Sequence, residues 1–287
     1  MKLHTFTRRT VLAIGLAATL TGPVAAEDQK GGVVAIGGSV TEIIYALGEQ
    51  DQLVARDTTS MFPPEAGELP DVGYIRALSP EGVLSVNPKK IVALEGSGPP
   101  ESLDVLKKAS VPIVMIPEGY NREGIINKIK AVGAAVGAED KAADLAKAVE
   151  ADVAAAESRA AEPRDRKRVL FILSMQGGHI MAAGDGTGAA AIIEMAGGAD
   201  ALSGGAGYKQ VSDEAVIEAA PEVILMMDRT GNHAADNGQL FAHPALAGSP
   251  AAESNSVVRM SGGYLLGFGP RTASAIEELS TALQNAD

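Results

Sequence analysis

Leu69-Pro70-Asp71-Val72-Gly73-Tyr74-Ile75-Arg76-Ala77-Leu78-Ser79-Pro80-Glu81-Gly82-Val83-Leu84-Ser85-Val86-Asn87-Pro88-Lys89-Lys90-Ile91-Val92-Ala93-Leu94-Glu95 holds a loop, a helix and a strand in one run. Pro70 and Gly73 make a loop that presents Tyr74 and, two residues on, Arg76. Ser79 has the side chain of a helix N-cap and Pro80 suits the first helical position, so a short helix runs to residue 86. Pro88 stops it, since proline lacks the amide proton that would continue the ladder. Residues 91–94 are an unbroken apolar run of strand length, as in a strand buried on both faces. Working outward, the same order recurs. Val211-Ser212-Asp213-Glu214-Ala215-Val216-Ile217-Glu218-Ala219-Ala220-Pro221-Glu222-Val223-Ile224-Leu225-Met226-Met227-Asp228 overlays residues 78–95 without a gap. Ser212 meets Ser79, Glu214 meets Glu81, Val216 meets Val83, Pro221 meets Pro88 and Ile224 meets Ile91. Two copies of one unit predict two α/β lobes.

The flanking sequence agrees. Residues 33–37 read as a strand, 40–47 as an amphipathic helix closed by Gly48, and 53–56 as a second strand. A helix over 101–108 and a strand over 111–116 complete a lobe spanning 27–121. Between 122 and 167 the composition shifts to Ala, Lys, Glu and Asp. Apolar residues fall at helical spacing: Ile125, Ile129, Val132 and Val136, then Ala142, Leu145, Val149 and Val153. The Gly137-Ala138 step breaks or bends this long helical region. The run Arg164-Asp165-Arg166-Lys167-Arg168 reads as its solvated end. A second lobe occupies 168–287, with a strand over 169–174, a Gly177-Gly178 turn and a helix over 189–196 closed by Gly197-Gly198. The expected fold is two Rossmann-like lobes with parallel sheets, joined by a long backbone helix, with a ligand cleft between them at the carboxyl ends of the strands.

Residues 1–26 read as a cleaved export signal: Lys2, Arg8 and Arg9, then an apolar run over 11–20, then small residues at Val24-Ala25-Ala26. Thr7-Arg8-Arg9-Thr10-Val11-Leu12 is also similar to a twin-arginine signal without its usual phenylalanine, so either the general secretory or the twin-arginine pathway fits. The address is the periplasm. The whole chain of 287 residues carries a formal charge of -12, which argues against nucleic acid as a partner. Hydrophobic residues make up 46% and aromatics only 3%, a composition suited to helices packed on parallel sheets. There is no cysteine, hence neither a disulfide nor a thiolate metal site. After the signal no apolar segment is long enough to span a membrane.

No catalytic set emerges. Gly37-Gly38-Ser39 and Gly184-Asp185-Gly186-Thr187-Gly188 both miss the dinucleotide spacing, and Gly96-Ser97-Gly98 is not a nucleophile elbow. His179, His233 and His243 are not paired at i, i+4. That leaves Tyr74, Arg76 and His179. On spacing alone Tyr74 has two readings, a ligand-facing tyrosine or a surface tyrosine packed on its own loop. A phenolate is a hard anionic ligand suited to Fe(III) and a known axial ligand of haem. A free phenol has a pKa near 10, so the metal's charge and a nearby guanidinium must favour the anion.

Several stretches resemble one family, the haem-binding periplasmic proteins of bacterial ABC importers, within the larger group that binds cobalamin and siderophores. Ile36-Gly37-Gly38-Ser39-Val40-Thr41-Glu42-Ile43-Ile44-Tyr45-Ala46-Leu47-Gly48 is similar to that group's opening strand and helix. Residues 69–74 with 78–84 are similar to its next signature, and Tyr74 stands where the haem subgroup has its axial ligand. Ser174-Met175-Gln176-Gly177-Gly178, Met181-Ala182-Ala183-Gly184 and Gly267-Phe268-Gly269-Pro270-Arg271 also resemble that subgroup. The resemblance covers essentially the whole mature chain. It implies one haem b held between rigid lobes as transported ligand, Tyr74 on the iron, and Arg76 and Arg271 on the propionates or beside the phenolate. It implies a monomer, not inserted in the membrane, that serves a permease and its ATPase. Some relatives use a second-lobe histidine for a second stacked haem, and His179 stands near that place; it is that ligand or a solvent-facing loop residue. Family members also offer one carboxylate per lobe to the permease, a role that falls here to Glu101 and Glu194 or leaves them as solvated helix residues. A ferric-siderophore or cobalamin carrier, an exported α/β enzyme and an adhesion domain are the competing readings.

Overall fold

The computed structural model describes residues 32–162, 165–202, 204–228 and 236–286, so the export signal read over 1–26 lies outside it, as does His233. The first lobe runs β1 (Val33–Ile36), α1 (Gly38–Ala46), β2 (Leu53–Arg56), α2 (Pro80–Leu84), β3 (Lys90–Leu94), α3 (Pro100–Lys108) and β4 (Ile113–Ile116). Its four strands are parallel in the order β2-β1-β3-β4. Every residue of β1 is buried, as expected for a strand covered on both faces. Two helices follow, α4 (Arg122–Val136) and α5 (Glu139–Ala160). Gly137 takes φ 71 between them, a left-handed C-cap that breaks the long helical region as expected. A side chain at Gly133 would run into Ala142, so glycine lets the two helices cross closely.

The second lobe runs β5 (Arg168–Gln176), β6 (His179–Ala183), α6 (Gly188–Met195), β7 (Ala199–Asp200), β8 (Tyr208–Val211), α7 (Asp213–Ala219) and β9 (Val223–Asp228). After 229–235 come α8 (Asn237–Phe241), α9 (Pro244–Ala247), α10 (Pro250–Glu253), β10 (Val257–Ser261), α11 (Gly262–Leu265) and α12 (Thr272–Gln284). The strand order is β10-β9-β5-β6-β8, with β7 beside β5. β10, β9 and β5 are parallel, the α/β pattern read from the sequence. β6 and β8 add an antiparallel arm to this parallel sheet. The Gly177-Gly178 turn explains the reversal: φ is 59 and 78, the positive pair that a tight hairpin needs and glycine permits.

One apolar cluster is continuous through both lobes. It joins Val40 and Ile43 of α1 to Ile125, Ile129 and Val132 of α4, to Val149 and Val153 of α5, and on to Phe171, Ile193, Leu225 and Leu279. Two satellite cores cover the far faces of the sheets. The helices between the lobes are therefore part of the core of each.

The repeat extends to the backbone. Ser79 Oγ accepts from Gly82 N–H and Ser212 Oγ from Ala215 N–H, each at 3.2 Å. Glu81 and Glu214 are both held below the usual carboxylate range, each by its own backbone N–H and then by the capping serine. Asn87 and Ala220, equivalent positions, both have positive φ, 51 and 41. Asparagine visits that region at little cost, whereas alanine loses about 1–2 kcal/mol there. Ala220→Asn should therefore stabilise the fold by about 0.5–1 kcal/mol, read as a higher denaturant midpoint with an unchanged slope.

Candidate functional site

Tyr74 stands on a loop that is anchored on both sides of it. Val72, Ile75 and Leu78 are buried in the first lobe's outer core, while Tyr74 is 48% exposed and Arg76 is exposed. The loop is tied at its base by Asp71, whose carboxylate accepts from Gly73 N–H at 2.8 Å, Thr58 Oγ at 3.1 Å and Arg56 at 2.7 Å. Its far end pairs with the next loop: Gly98 N–H donates to Ile75 O and Leu78 N–H to Gly98 O, both at 2.9 Å. Gly73, at φ 104, makes the bend that brings the phenol out. The arrangement is a rigid display of a phenol and a guanidinium.

The facing wall comes from the antiparallel arm. Pairing sets His179 opposite Gln176, Met181 opposite both Ser174 and Gln210, and Ala183 opposite Tyr208. Paired side chains share a face, so His179, Met181, Gln210 and Tyr208 line one side of the arm. Burial raises the Tyr208 phenol above its ordinary pKa, and Arg76 acts in the opposite sense. Tyr120 is likewise raised, by burial first and then by Glu118, and is again opposed by Arg76. The Arg76 guanidinium, on the Tyr74 loop, thus lies close enough to both phenols to act on them through its charge. Tyr120 packs on Phe268 with ring centroids 5.1 Å apart, closing the side of the cleft.

The floor holds two ion pairs. Lys128 of α4 is wholly buried; its Nζ lies 2.5 Å from Glu118 Oε1 and donates to Gly267 O at 3.1 Å. Burial pulls its pKa down, and Glu118 opposes that. Arg271 binds Glu42 of α1 through Nε at 3.0 Å and an Nη at 2.7 Å, and stacks 3.6 Å over the Phe62 ring. The sequence suggested a propionate or the phenolate as the partner of Arg271. The structure gives it a carboxylate from the opposite lobe, so two of its nitrogens are taken.

The remaining sequence candidates divide. His179 is exposed, and its Nδ1 lies 3.0 Å from the Gln210 side-chain amide. His243 is buried and uses both nitrogens: Nδ1 accepts from Ala245 N–H, capping α9, and Nε2 lies 3.1 Å from Gly178 O. It latches the turn that leads into His179. Glu101 is exposed in the first turn of α3, just beyond the cleft end of β3. Glu194 is in the last turn of α6, near the start of β5, and shares a cavity of about 430 Å³ with Arg166, Asp185 and Asp200. The two acids thus lie at non-equivalent heights of the repeat. Neither Tyr74 nor His179 lines that cavity. Among the described residues no three His, Asp or Glu side chains gather to hold a bare metal ion. Sequence reading missed Gln210, Tyr208 and Lys128; the alternation over 208–211 is too short to signal a strand.

The model of a family described as periplasmic binding protein matches residues 33–262. The chain belongs to that family. A solved structure of the periplasmic heme-binding protein BhuT in complex with two hemes is 35% identical, covering 88% of this chain and 98% of that one, with a TM-score of 0.84. The periplasmic heme-binding protein RhuT from Roseiflexus sp. RS-1, in apo form, has the same identity and coverage and a TM-score of 0.85. HutB, the periplasmic heme-binding protein of Vibrio cholerae, is 30% identical over 87% of this chain and 97% of that one, with a TM-score of 0.76. The vitamin B12-binding protein of Vibrio parahaemolyticus is 27% identical over 86% of this chain and 87% of its own. The resemblance and the two-lobe α/β fold read from the sequence both hold. The family and these relatives are substrate-binding proteins of transport systems, so this chain is a binding protein and not an enzyme. Among the described residues no helix is long and apolar enough to cross a membrane.

The floor of the binding protein is open to test. Arg271→Ala leaves the Glu42 carboxylate, 8% exposed, without its partner. Stripping one member from a buried pair costs about 3 kcal/mol, and denaturant unfolding should show that loss; Arg271→Lys, which cannot make the two-pronged bond, should recover only part of it.

Proposed function

We propose that this binding protein captures Fe(III) haem through a Tyr74 phenolate and delivers it to an ABC importer. The observation that carries the reading is the displayed pair Tyr74 and Arg76, held on a braced loop opposite a wall that carries an imidazole. Relatives at 30–35% identity that are heme-binding proteins support it. Coordination to ferric iron favours the anionic phenol, and the Arg76 cation adds to that preference. Met61, 63% exposed, and Phe62, 41% exposed, offer apolar surface on the loop after β2, suited to a flat macrocycle. Arg76 is the better placed of the two arginines for a propionate, since Arg271 is engaged by Glu42. His179 is a candidate second donor from the other lobe.

A cobalamin or ferric-siderophore cargo is the alternative, favoured by the vitamin B12-binding relative. Such a ligand has no use for a phenolate on iron. The readings separate on Tyr74→Ala titrated with hemin. Loss of the high-spin Fe(III)–phenolate charge-transfer band is expected; an unchanged spectrum excludes Tyr74 as ligand. Arg76→Ala should keep that band and speed hemin release by about 10- to 150-fold. This corresponds to one charge-assisted hydrogen bond of about 1.5–3 kcal/mol.

Delivery follows from the shared core. Helix hydrogen bonds are internal and no proline interrupts α4 or α5, so the lobes move little on loading. Release then requires the permease to engage both lobes and pry the cleft. Glu101, exposed at the cleft end of its lobe, is the first-lobe anchor; Glu194 is the second-lobe candidate by residue type, though it lies far along α6. The radius of gyration should be the same with and without hemin. Glu101→Ala should leave hemin affinity intact and reduce reconstituted transport, with Glu194→Ala run beside it, because rim charges act mainly in docking. Normal transport by both variants removes the docking roles.

A further inference from the structure

We propose that Gln210 is a positioning residue that holds the His179 imidazole through Nδ1 in both the empty and the loaded cleft, leaving Nε2 to bind iron when haem is present; this rests on the reading of the cargo as haem. Three observations converge on it. His179 begins β6 on the same face of the arm as Tyr208, the phenol on which the Arg76 charge acts. Its Nδ1 is held by the Gln210 amide at 3.0 Å, while its Nε2 makes no hydrogen bond among the described residues. His243, by contrast, has both nitrogens engaged and serves the turn instead.

The contact between His179 and Gln210 is not a consequence of strand register. The residue directly opposite Gln210 is Met181, and His179 is the diagonal neighbour, two residues away along β6. Diagonal pairs lie about 7–8 Å apart at Cα, so only a long side chain leaning along the sheet can close the gap. The hydrogen bond constrains the rotation of the imidazole and leaves Nε2 as the ring nitrogen without a hydrogen bond among the described residues.

The chemistry explains why the partner is an amide. A free imidazole with its proton on Nε2 offers an Nδ1 lone pair, which the Gln210 NH2 can satisfy. An imidazole bound to iron through Nε2 carries its proton on Nδ1, and that proton needs an acceptor. A half-turn of the terminal amide replaces nitrogen by oxygen at the same place, so Gln210 serves both forms. A carboxylate would accept from the second form only, and an apolar side chain would serve neither.

The experiment titrates the whole mature protein with hemin and records ferric absorption and electron paramagnetic resonance spectra for wild type, His179→Ala, Gln210→Leu and Gln210→Glu. The expected result is a His179-dependent species, a low-spin ferric signal or a second equivalent of hemin, that His179→Ala abolishes. Gln210→Leu should weaken that species by about 10- to 100-fold, the usual effect of losing the partner of a metal-bound histidine, while leaving the Tyr74 charge-transfer band in place. Gln210→Glu should retain or strengthen the species, because it favours the proton on Nδ1. Identical His179-dependent spectra for wild type and Gln210→Leu would overturn the proposal, as would spectra that His179→Ala leaves unchanged. Either result leaves a Tyr74-bound haem standing. Wild-type protein that does not bind hemin at all would overturn the haem reading itself, and this proposal with it.

Discussion

A single ammonium group sets the geometry of the cleft. Lys128 Nζ is buried between Glu118, which follows the last strand of the first lobe, and Gly267, which precedes the last helix of the second. Burying a charge is costly unless it is paired and hydrogen-bonded, and that cost is visible in the lowered pKa of the lysine. The group is therefore tolerated only while both partners stay in place. Three distant parts of the chain, one from each lobe and one from the helix between them, are held to one point at the cleft floor. Glu42 adds its field to the same lysine and is itself gripped by Arg271 from across the cleft. A floor built in this way resists hinging, and the continuous apolar cluster beneath it has the same effect.

On this floor the two copies of the repeat have diverged where the ligand would sit. Each copy has an isolated parallel bridge beside its cleft loop, Arg56 with Asp71 in the first and Asp185 with Ala206 in the second. Each places one aspartate at that bridge, but on opposite sides of it. Asp71 accepts from Gly73 N–H and braces the loop that displays Tyr74. Asp185 accepts from Gly204 N–H at 2.9 Å and braces the approach to Tyr208. The second copy also spends its chain differently, on a hairpin between β5 and the helix that follows. One lobe thus presents a phenol on a short rigid loop and the other an imidazole on an extended arm.

The supports of each functional group have unequal reach. The Tyr74 loop is held by Asp71 and Gly98 close by in the chain, whereas the turn before His179 is latched by His243, 65 positions from Gly178, and His179 itself by Gln210. Burial and the Glu118 charge raise the pKa of the flanking Tyr120 phenol, and burial raises that of Tyr208, so both environments disfavour the phenolate form of those two side chains.

Much of this was legible in the chain itself. Serine N-caps, helix-ending prolines, apolar runs of strand length and the gapless overlay of 78–95 on 211–228 are local signals, and local signals determine local structure: two α/β units, a helical region broken at Gly137, and a tyrosine displayed on a loop between Pro70 and Gly73. Only the tertiary structure decided what the long-range groups do. Arg271 and Glu42 are 229 residues apart and Lys128 and Gly267 are 139 apart, and no spacing rule links such pairs. The arm was hidden because strands of four and five residues leave too little alternation to read, and with it the distinction between His179 and His243. His179, which the sequence singled out, and His243, which it did not, are told apart by the partners that folding brings to their ring nitrogens, one left with an Nε2 that makes no hydrogen bond among the described residues and the other made a structural latch.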